Sequence, residues 1–508
     1  MDRRAFLRRT GGSALALGAL GGLPGFATTA AGAGPADARL RELAKLIQGS
    51  VVGPSSPAYA QARLADSTRF DAIHPTAVVS PLGAADVATT LAWAQKHSLR
   101  VAARSGGHSY AGYSTTTGVI VDLSRLNAVH VTPGAASARI GAGAQLIDVY
   151  SQLALHGVTI PGGSCATVGI GGLALGGGVG FTSRKLGLTC DNIQSVEIVT
   201  AAGQILTCDP THHADLFWAC RGGGGGNFGI VTAFTFAVHP SSSVSTYFVE
   251  WPWANAAEAV AAWQAFAPTA PDELFSVCDL LATDPAAGAH AHVVSSGQFF
   301  GTEAELAALI QPLTSIGSPT TVVTRTRTAL EAALFWAGCA TDTVAECHTS
   351  PRGSLQRSSF KAKSDFVAKP LPPAAVAALT GAIDARQAGS LLGRGSVLMD
   401  AYGGAINRVP KTATAFVHRD QLFAIQYVAE LGSAAPTPER TAANDQWLAS
   451  VHAAMRPSVS GQAYQNYIDP DLPGWAAAYY GSNLPRLRKV KRAYDPRNMF
   501  RFAQSIPL

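Results

Sequence analysis

Short apolar strands alternate with helical segments over the first half of the chain. Residues 84–99 (AADVATTLAWAQKHSL) have apolar positions at helical spacing, whereas residues 74–81 (HPTAVVSP) indicate a short strand between prolines. The segments LRVAARSGGHS, GVIVDLSRL, ARIGAGAQLIDVYSQLALHGV and IQSVEIVTAAGQIL continue this alternation, and an Ala-rich helix is expected over residues 37–48. The pattern predicts an α+β fold.

The pattern changes near residue 245. Strand-like segments such as STYFVEW and AHVVSSGQFF follow, with Ala-rich helices between them up to about residue 455. Within RDQLFAIQYVAEL (residues 419–431) the strand period sends Leu422, Ala424 and Gln426 to one face and the residues between them to the other. A chain of 508 residues exceeds one ordinary core, so two domains are expected.

Composition describes a folded chain: 47% of the residues are hydrophobic and 14% are charged, which excludes a disordered protein. The net charge of +5 is concentrated in the first 33 residues, where four arginines and one aspartate leave only +2 for the rest. No basic cluster with interleaved aromatics is present, so no nucleic-acid partner is expected. We interpret RLRKVKR (residues 486–492) as the solvated face of a last helix.

The N-terminus has the layout of a cleaved export signal. Arg3 and Arg4 precede an apolar stretch too short to span a membrane, and small residues follow it. The arginine pair resembles a twin-arginine signal over residues 1–34, whose route exports folded proteins. We therefore expect a secreted protein with no membrane anchor after cleavage. The alternative is a general signal in which the arginines are only its charged start.

Two glycine-rich segments each enclose a nucleophilic side chain. In RSGGHSYAGYS (residues 104–114) His108 follows two glycines, and in PGGSCATVGIGGLALGGGVG (residues 161–180) Cys165 follows Gly162, Gly163 and Ser164. Glycines let backbone N–H groups approach phosphate oxygens closely. Taken singly, each segment could be a tight turn with an ordinary histidine or an inert thiol. Neither a dinucleotide G-x-G-x-x-G between strand and helix nor a P-loop is present.

Together, the two segments resemble the flavin-attachment loops of the berberine-bridge-enzyme-like, FAD-linked oxidases, whose FAD domain is of the vanillyl-alcohol-oxidase type. The resemblance implies bicovalent FAD, with His108 on the 8α-methyl group and Cys165 on ring carbon six. It also implies three parts: an FAD-binding domain (residues 35–240), a substrate domain with an antiparallel sheet backed by helices (residues 241–458), and a C-terminal segment (residues 459–508) that returns to the FAD domain. In residues 221–240, GNFGIV resembles the contact beside the adenine half.

The resemblance extends to single positions around the cofactor. The further FAD contacts that it implies are Arg104, Ser105, Gly106, Gly107, Ser109, Gly163, Ser164, Val168, Gly169, Gly172, Gly177, Gly178, Asn227, Ile230, Tyr467 and Asn498. Val168 occupies the position where oxidases of the family carry a small residue that lets O2 reach the flavin. If Cys165 is bound to flavin, the other six cysteines allow fifteen pairings. None is spaced as a Cys-x-x-Cys metal pair, and no metal is expected.

Oxidation of an alcohol requires a base beside the flavin. By the resemblance, Tyr467 in YQNY is that base and Tyr464 lines the substrate side, although both could simply fill a domain seam. Asp400 matches the acidic residue that draws the proton from the tyrosine, and we expect its loss to move the basic limb of the pH–rate profile upward. Tyr402 is a second candidate acid or base. Gln426 matches a polar residue facing flavin and substrate, where relatives that form carbon–carbon bonds carry glutamate.

These features favour an oxidase that converts a hydroxyl of a sugar, an oligosaccharide or a glycosylated natural product into a carbonyl and passes the electrons to O2. One alternative is a tailoring oxidase for a non-sugar alcohol or amine. Another is a flavin-carrying surface protein without turnover, and the presence of Tyr467, Asp400, His108 and Cys165 together argues against it. The sequence leaves the substrate and the oligomeric state open.

Overall fold

The structure, a computed structural model, describes residues 35–508 except residue 135, residues 284–289 and residues 433–435. The predicted export signal, residues 1–34, lies outside the described residues. The helices are α1 Pro35–Leu46, α2 Tyr59–Ala62, α3 Ala84–Lys96, α4 Leu146–Ala154, α5 Ile170–Leu175, α6 Ser183–Leu186, α7 Ala214–Ala219, α8 Ala256–Phe266, α9 Glu303–Leu309, α10 Gln311–Thr314, α11 Ala329–Trp336, α12 Pro373–Ala388, α13 Gly404–Arg408, α14 Pro438–Met455, α15 Trp475–Tyr480 and α16 Leu484–Tyr494.

The strands follow the predicted segments closely. They are β1 Ser50–Val52, β2 Ala77–Ser80, β3 Val101–Arg104, β4 Val119–Asp122, β5 Val129–Val131, β6 Ser137–Gly141, β7 Val158–Thr159, β8 Ile193–Thr200, β9 Ile205–Cys208, β10 Gly229–Ala237, β11 His239–Pro240, β12 Val244–Pro252, β13 Leu274–Ala282, β14 His292–Phe299, β15 Thr321–Arg327, β16 Ser359–Val367, β17 Gly395–Ala401 and β18 Phe423–Gly432. Helix α3 ends earlier than predicted because Ser98 takes a left-handed φ of 54°.

Two sheets form the first part of the chain. A four-stranded sheet has the order β1-β2-β4-β3, in which β2 and β3 each run parallel to β4. A five-stranded antiparallel sheet has the order β5-β6-β10-β8-β9, and β7 pairs with β11 separately. The central strand β10 is buried at its first six positions, so both of its faces are covered there. Parallel strands beside antiparallel sheets confirm the α+β prediction.

A seven-stranded antiparallel sheet, ordered β15-β12-β14-β13-β17-β18-β16, lies entirely within residues 241–458. One face packs on α8, α12 and α14, and the buried side chains of Ile425, Tyr427 and Met399 belong to that core. Because side chains alternate along a strand, Leu398, Asp400 and Gln426 point to the opposite face. That face forms one wall of the large cavity described below.

The C-terminal segment joins the two parts. Tyr464, Leu487 and Phe500 pack in the same core as the first two sheets. The Tyr464 backbone N–H also donates to Ser364 Oγ on β16, at 3.1 Å. Residues from 459 onward therefore contact the core of the first part and the edge of the seven-stranded sheet.

The prediction of a solvated basic face on the last helix is wrong for Lys491. Arg488, Lys489 and Arg492 are exposed, but Lys491 is fully buried. Its ammonium donates to Asp495 Oδ2 at 2.7 Å and to the carbonyls of Asn227 and Phe500 at 2.8 and 2.6 Å. A buried charge persists only where it is paired and hydrogen-bonded, as here.

The described residues contain one disulfide, Cys339–Cys347. None of the fifteen complete pairings of six cysteines is therefore formed. Cys190, Cys208, Cys220 and Cys278 are buried free thiols, and Cys165 is half-buried. Among the described helices, none combines the length and apolar character needed to cross a bilayer.

Candidate active site

The two glycine-rich segments lie directly against each other. A Cβ atom on Gly106, just after β3, would lie 2.3 Å from the backbone nitrogen of Gly169, and a Cβ atom on Gly169 would lie 1.9 Å from Ser105 Oγ. Real Cβ atoms do not approach other atoms that closely, so this contact requires glycine on both sides. Two motifs about sixty residues apart in sequence therefore form one surface.

His108 is held between two partners that the sequence analysis missed. Its Nδ1 lies 3.4 Å from Asp66 Oδ2, and its Nε2 lies 2.9 Å from Oγ1 of Thr167 in the Cys165 segment. Because an ionised carboxylate only accepts hydrogen bonds, a neutral imidazole in this pose carries its proton on Nδ1 and keeps a lone pair on Nε2. No sequence spacing relates Asp66 to the histidine motif.

The Cys165 segment is anchored by the first turn of α4. The backbone N–H of Leu146 donates to the Val168 carbonyl and that of Ile147 donates to the Ala166 carbonyl, both at 3.0 Å. A further bond from Val168 N–H to the Cys165 carbonyl, at 3.3 Å, closes a turn around the thiol. Helix N-termini have unsatisfied N–H groups to offer, and here they fix the position of the nucleophile.

A cavity of about 1050 Å³ extends from these loops to the face of the seven-stranded sheet. It is at the upper end of the range for small-molecule sites, about 300–1,000 Å³. The predicted cofactor residues that line it are Ser105, Gly106, Gly107, His108, Ser109, Gly163, Ser164, Cys165, Val168, Gly169, Gly172 and Asn227. Tyr464, Tyr467, Asp400 and Gln426 line it as well.

Several predicted cofactor contacts do not line this cavity. Arg104 is buried behind the loop, where it bonds Asp122 Oδ2 at 2.5 Å and the carbonyl of Leu64 at 3.2 Å. On β10, just after the glycine run at residues 222–226, Gly229 and Val231 face the cavity. Ile230 therefore points to the other side of β10, as strand alternation requires.

Three further positions are corrected in the same way. Gly177 and Gly178, near the end of the Cys165 segment, do not line the cavity, and the Gly178 N–H donates to the Tyr464 hydroxyl at 2.7 Å. They therefore support an active-site tyrosine instead of lining the cavity. Asn498 takes a left-handed φ of 53° in the turn after α16, and its neighbours Phe500 and Phe502 reach the cavity in its place.

Aromatic rings form the wall around Tyr467. Its ring stacks on Tyr110 with centroids 5.5 Å apart and planes 9° apart, and it meets the Tyr464 ring edge-on at 4.9 Å. Gln426 Nε2 donates to the Tyr110 hydroxyl at 2.9 Å, which ties this wall to the sheet. Tyr110 was not singled out from the sequence, although it stands two residues after His108.

Tyr464 and Tyr402 occupy different places. Tyr464 lines the cavity, and its hydroxyl accepts hydrogen bonds from Gly178 N–H and from Asn466 Nδ2, the latter at 2.8 Å. Tyr402 is fully buried and does not line the cavity; its ring packs edge-on against Phe366 at 5.3 Å. The proposal of Tyr402 as a second acid or base in contact with substrate is therefore wrong in this structure.

The electrostatics around Tyr467 oppose a free phenolate. Burial raises the pKa of Tyr467 well above its usual value, and the negative charge of Asp400 raises it further. The expectation that loss of Asp400 would move the titration upward is therefore wrong in sign, because removing a negative neighbour lowers the pKa of a phenol. At neutral pH Tyr467 carries its proton.

The lining chemistry fits a dinucleotide. Gly224 and Gly226 line the cavity with positive φ angles of 87° and 72°, so backbone groups without side chains face it. A Cβ atom on Gly172 would meet no atom within 4 Å. Backbone N–H groups in such turns bind phosphate oxygens, and the nucleophiles His108 and Cys165 lie along the same cavity. FAD is a molecule of this length and chemistry.

Fold and site together define a flavin-dependent oxidoreductase, and comparison with known proteins gives its family. Residues 75–209 match the FAD binding domain model, and residues 463–507 match the berberine and berberine-like model. The uncharacterized FAD-linked oxidoreductase YgaK of Bacillus subtilis is 34% identical over 91% of this chain and 97% of its own length. A monolignol oxidoreductase of Arabidopsis thaliana is 32% identical over 85% of this chain and 84% of its own.

Two solved structures are similar over nearly the whole fold. The berberine-bridge-enzyme-like protein 1 of Physcomitrella patens is 33% identical with a TM-score of 0.83, covering 92% of this chain and 99% of its own. A chitooligosaccharide oxidase is 27% identical with a TM-score of 0.81, covering 93% and 99%. The chain belongs to the berberine-bridge-enzyme-like family of FAD-linked oxidases. It is an oxidoreductase that uses FAD.

Proposed function

We propose that this protein is a secreted oxidase that converts a hydroxyl group of a sugar or glycoside into a ketone, aldehyde or lactone. FAD accepts the hydride from the carbinol carbon, and O2 receives the electrons and leaves as H2O2. One observation carries the proposal: the cavity that His108 and Cys165 line is also lined by Tyr467, Asp400 and Gln426. Cofactor and acid–base groups can therefore contact one substrate.

The cofactor is held at two positions in this proposal. His108 and Cys165 each form a covalent bond to the flavin ring system, and the contact between Gly106 and Gly169 sets the spacing of their loops. The glycines at 224 and 226, with Asn227, receive the phosphate and adenine end. Two covalent bonds hold the flavin without a closed pocket, which leaves room for a bulky substrate.

The proton of the substrate hydroxyl leaves through Tyr467. Because burial and Asp400 raise the pKa of Tyr467, the phenol relays a proton. It accepts the proton of the substrate hydroxyl while it donates its own proton to the Asp400 carboxylate. Asp400 then holds that proton as a neutral carboxyl group, and no phenolate accumulates. Gln426 has no acidic proton to exchange, so it orients Tyr110 and the substrate.

A sugar fits the walls of the cavity beyond Tyr467. Tyr110 and Phe360 present aromatic rings whose centroids lie 4.7 Å apart, and Ser396 and Gln426 offer hydrogen-bonding groups on the sheet. Sugar rings combine apolar faces with many hydroxyls, so such a mixed surface suits them. The similarity to a chitooligosaccharide oxidase supports the same substrate class.

A non-sugar alcohol is the second candidate. The Arabidopsis thaliana relative is a monolignol oxidoreductase, and the stacked rings of Tyr110 and Tyr467 would also pack on a flat aromatic alcohol. In either case the reaction is the same oxidation of a carbinol carbon. An amine substrate remains a further variant of this second candidate.

Export completes the proposal. The arginine pair before a short apolar stretch supports delivery by the twin-arginine route. This route carries folded proteins, so the flavin can be attached before the protein leaves the cytoplasm. We expect the mature protein outside the cell, with its peroxide released there.

The test is a screen for peroxide release from sugars, oligosaccharides, glycosides and monolignol-type alcohols by the purified, flavin-loaded protein. Activity on a saccharide supports the proposal, and activity on aromatic alcohols alone moves it to the second candidate. The Tyr467→Phe variant serves as the control, because it keeps the aromatic wall but lacks the proton path. Peroxide formed equally by this variant would not come from the proposed site.

A further inference from the structure

A small cleft lies behind the Cys165 segment, separate from the large cavity. Its volume is about 60 Å³, and we call it the Trp336 cleft after the residue at its inner end. It lies between α4, β7 and Phe181 on one side and α11 with the start of β12 on the other. At its outer end is Ser242, which is exposed to solvent.

The inner end of the Trp336 cleft coincides with the wall of the large cavity. Gly163, Ser164 and Trp336 line both spaces. Gly163 and Ser164 directly precede Cys165, and the Tyr150 hydroxyl donates to the Gly163 carbonyl at 2.8 Å. A molecule in the cleft is therefore separated from the flavin-attachment segment only by a backbone with little side chain.

The walls of the cleft are mainly apolar. Val158, Ile160, Val244 and Leu330 contribute aliphatic surface, and Phe181 stacks on Trp336 with ring centroids 3.6 Å apart. The indole N–H of Trp336 is already bonded to Gln298 Oε1 at 2.9 Å, so its ring offers apolar surface alone. Apolar cavities exclude water and bind small apolar molecules such as xenon.

Size and polarity together select the occupant. A space of about 60 Å³ is far below the range of sites for small organic molecules, about 300–1,000 Å³, so no sugar and no part of a dinucleotide fits. Of the reactants in the proposed oxidation, only O2 is both this small and apolar. In the proposed holoenzyme the large cavity holds flavin and substrate or product, so O2 needs another way to the reduced ring.

We propose that the Trp336 cleft is an access route for O2 from solvent to the Cys165 side of the flavin. There O2 takes two electrons and two protons from the reduced flavin and leaves as H2O2, which restores oxidised FAD. This inference rests on the proposed oxidase reaction.

The route can be closed without touching the catalytic machinery. Ala333, on α11, lines the cleft but not the large cavity, and Ala333→Phe fills it. The flavin-loaded protein is reduced with dithionite without oxygen and then mixed with O2 in a stopped-flow instrument. Ala333→Phe should slow reoxidation about tenfold, which corresponds to about 1.4 kcal/mol in activation free energy. Leu330→Ala widens the cleft and should not slow it.

Two further variants complete the kinetic test. Ala257→Phe makes the same change at an exposed position of α8, away from the cleft, and should reoxidise like the unaltered protein. Ala154→Phe, from the opposite wall of the cleft, repeats the closure if Ala333→Phe does not fold. Reoxidation at the unaltered rate in a folded closing variant would overturn the route.

Xenon provides a readout independent of turnover. In crystals pressurised with xenon, we expect a bound atom between Ala333 and Gly163 in the unaltered protein and none in Ala333→Phe. An empty cleft under xenon would show that it does not accept small apolar molecules and would also overturn the proposal. If the unaltered protein itself reoxidises no faster than free reduced flavin, the oxidase reaction fails and the route fails with it. If reoxidation is fast but unchanged in the closing variants, the proposed O2 route is wrong while the proposed oxidase reaction stands.

Discussion

Tyr467 and Tyr402 differ in whether their hydroxyl groups can meet a substrate. Tyr467 lines the cavity, whereas Tyr402 is fully buried in the core that contains the first two sheets. Tyr467→Phe keeps the ring that stacks on Tyr110 and removes only the oxygen. We expect flavin reduction in a single turnover to slow about 10²–10⁴-fold, the usual contribution of general acid–base groups, with little change in substrate binding.

Tyr402→Phe is the matched comparison, since it removes one hydroxyl from a neighbouring tyrosine. Its reduction rate should stay close to that of the unaltered protein because no atom of this side chain reaches the cavity. If flavin reduction were slow in Tyr402→Phe and normal in Tyr467→Phe, Tyr402 and not Tyr467 would be the acid–base group.

Asp400 sets the pH at which Tyr467 titrates. Its negative charge raises the pKa of the phenol, so Asp400→Asn should lower that pKa and move the corresponding limb of the pH–rate profile to lower pH. The measurement is the pH dependence of single-turnover flavin reduction, and the limb belonging to Tyr467 is the one missing in Tyr467→Phe. A shift to higher pH would contradict the arrangement of charges described above.

Val168 lines the cavity three residues after Cys165. Val168→Ile adds one methylene group beside the position proposed for the flavin, so it should slow the reaction of reduced flavin with O2 while flavin reduction by substrate proceeds normally. Stopped-flow traces of both half-reactions test this, and Val168→Ala should keep reoxidation fast. Equal reoxidation rates in all three proteins would remove Val168 from the path of O2.

The two segments proposed to attach the flavin, around His108 and Cys165, are separate elements that meet only after folding, so the two proposed bonds should form independently. His108→Ala should keep the flavin through Cys165, and Cys165→Ala should keep it through His108. After denaturation in acid, each single variant stays yellow, whereas the double variant releases all of its FAD. Release of the cofactor from the unaltered protein by acid alone would show that no covalent bond exists.

The last helix depends on a cation inside the protein. Lys491→Met leaves the Asp495 carboxylate buried without its partner, and loss of one member of a buried pair costs about 3–5 kcal/mol of unfolding free energy. Lys489→Met, two residues away on the exposed side of α16, should change stability by less than about 0.5 kcal/mol. Urea unfolding of both variants measures the difference, and similar midpoints would contradict the role given to Lys491.

For the molecule as a whole, periodic patterns and the family resemblance predicted the strands, the α+β class and the cavity position of His108, Cys165, Asp400 and Gln426. Contacts between distant segments could not be predicted, as Asp66 beside His108 illustrates. Tyr402 shows a second limit. If β17 continued, the alternation of side chains would place Tyr402 on the same face as Asp400. The strand ends at Ala401, however, and a turn follows in which Gly403 has a φ of 97°.

The C-terminal segment completes a cavity whose other walls come from earlier parts of the chain. Tyr467 and the cavity residues Phe500 and Phe502 belong to the C-terminal segment. The Ile506 N–H donates to Asn227 Oδ1, just after the glycine run at residues 222–226. A chain cut before Tyr467 would therefore lack one wall of the cavity and, with it, the proton path proposed for that residue.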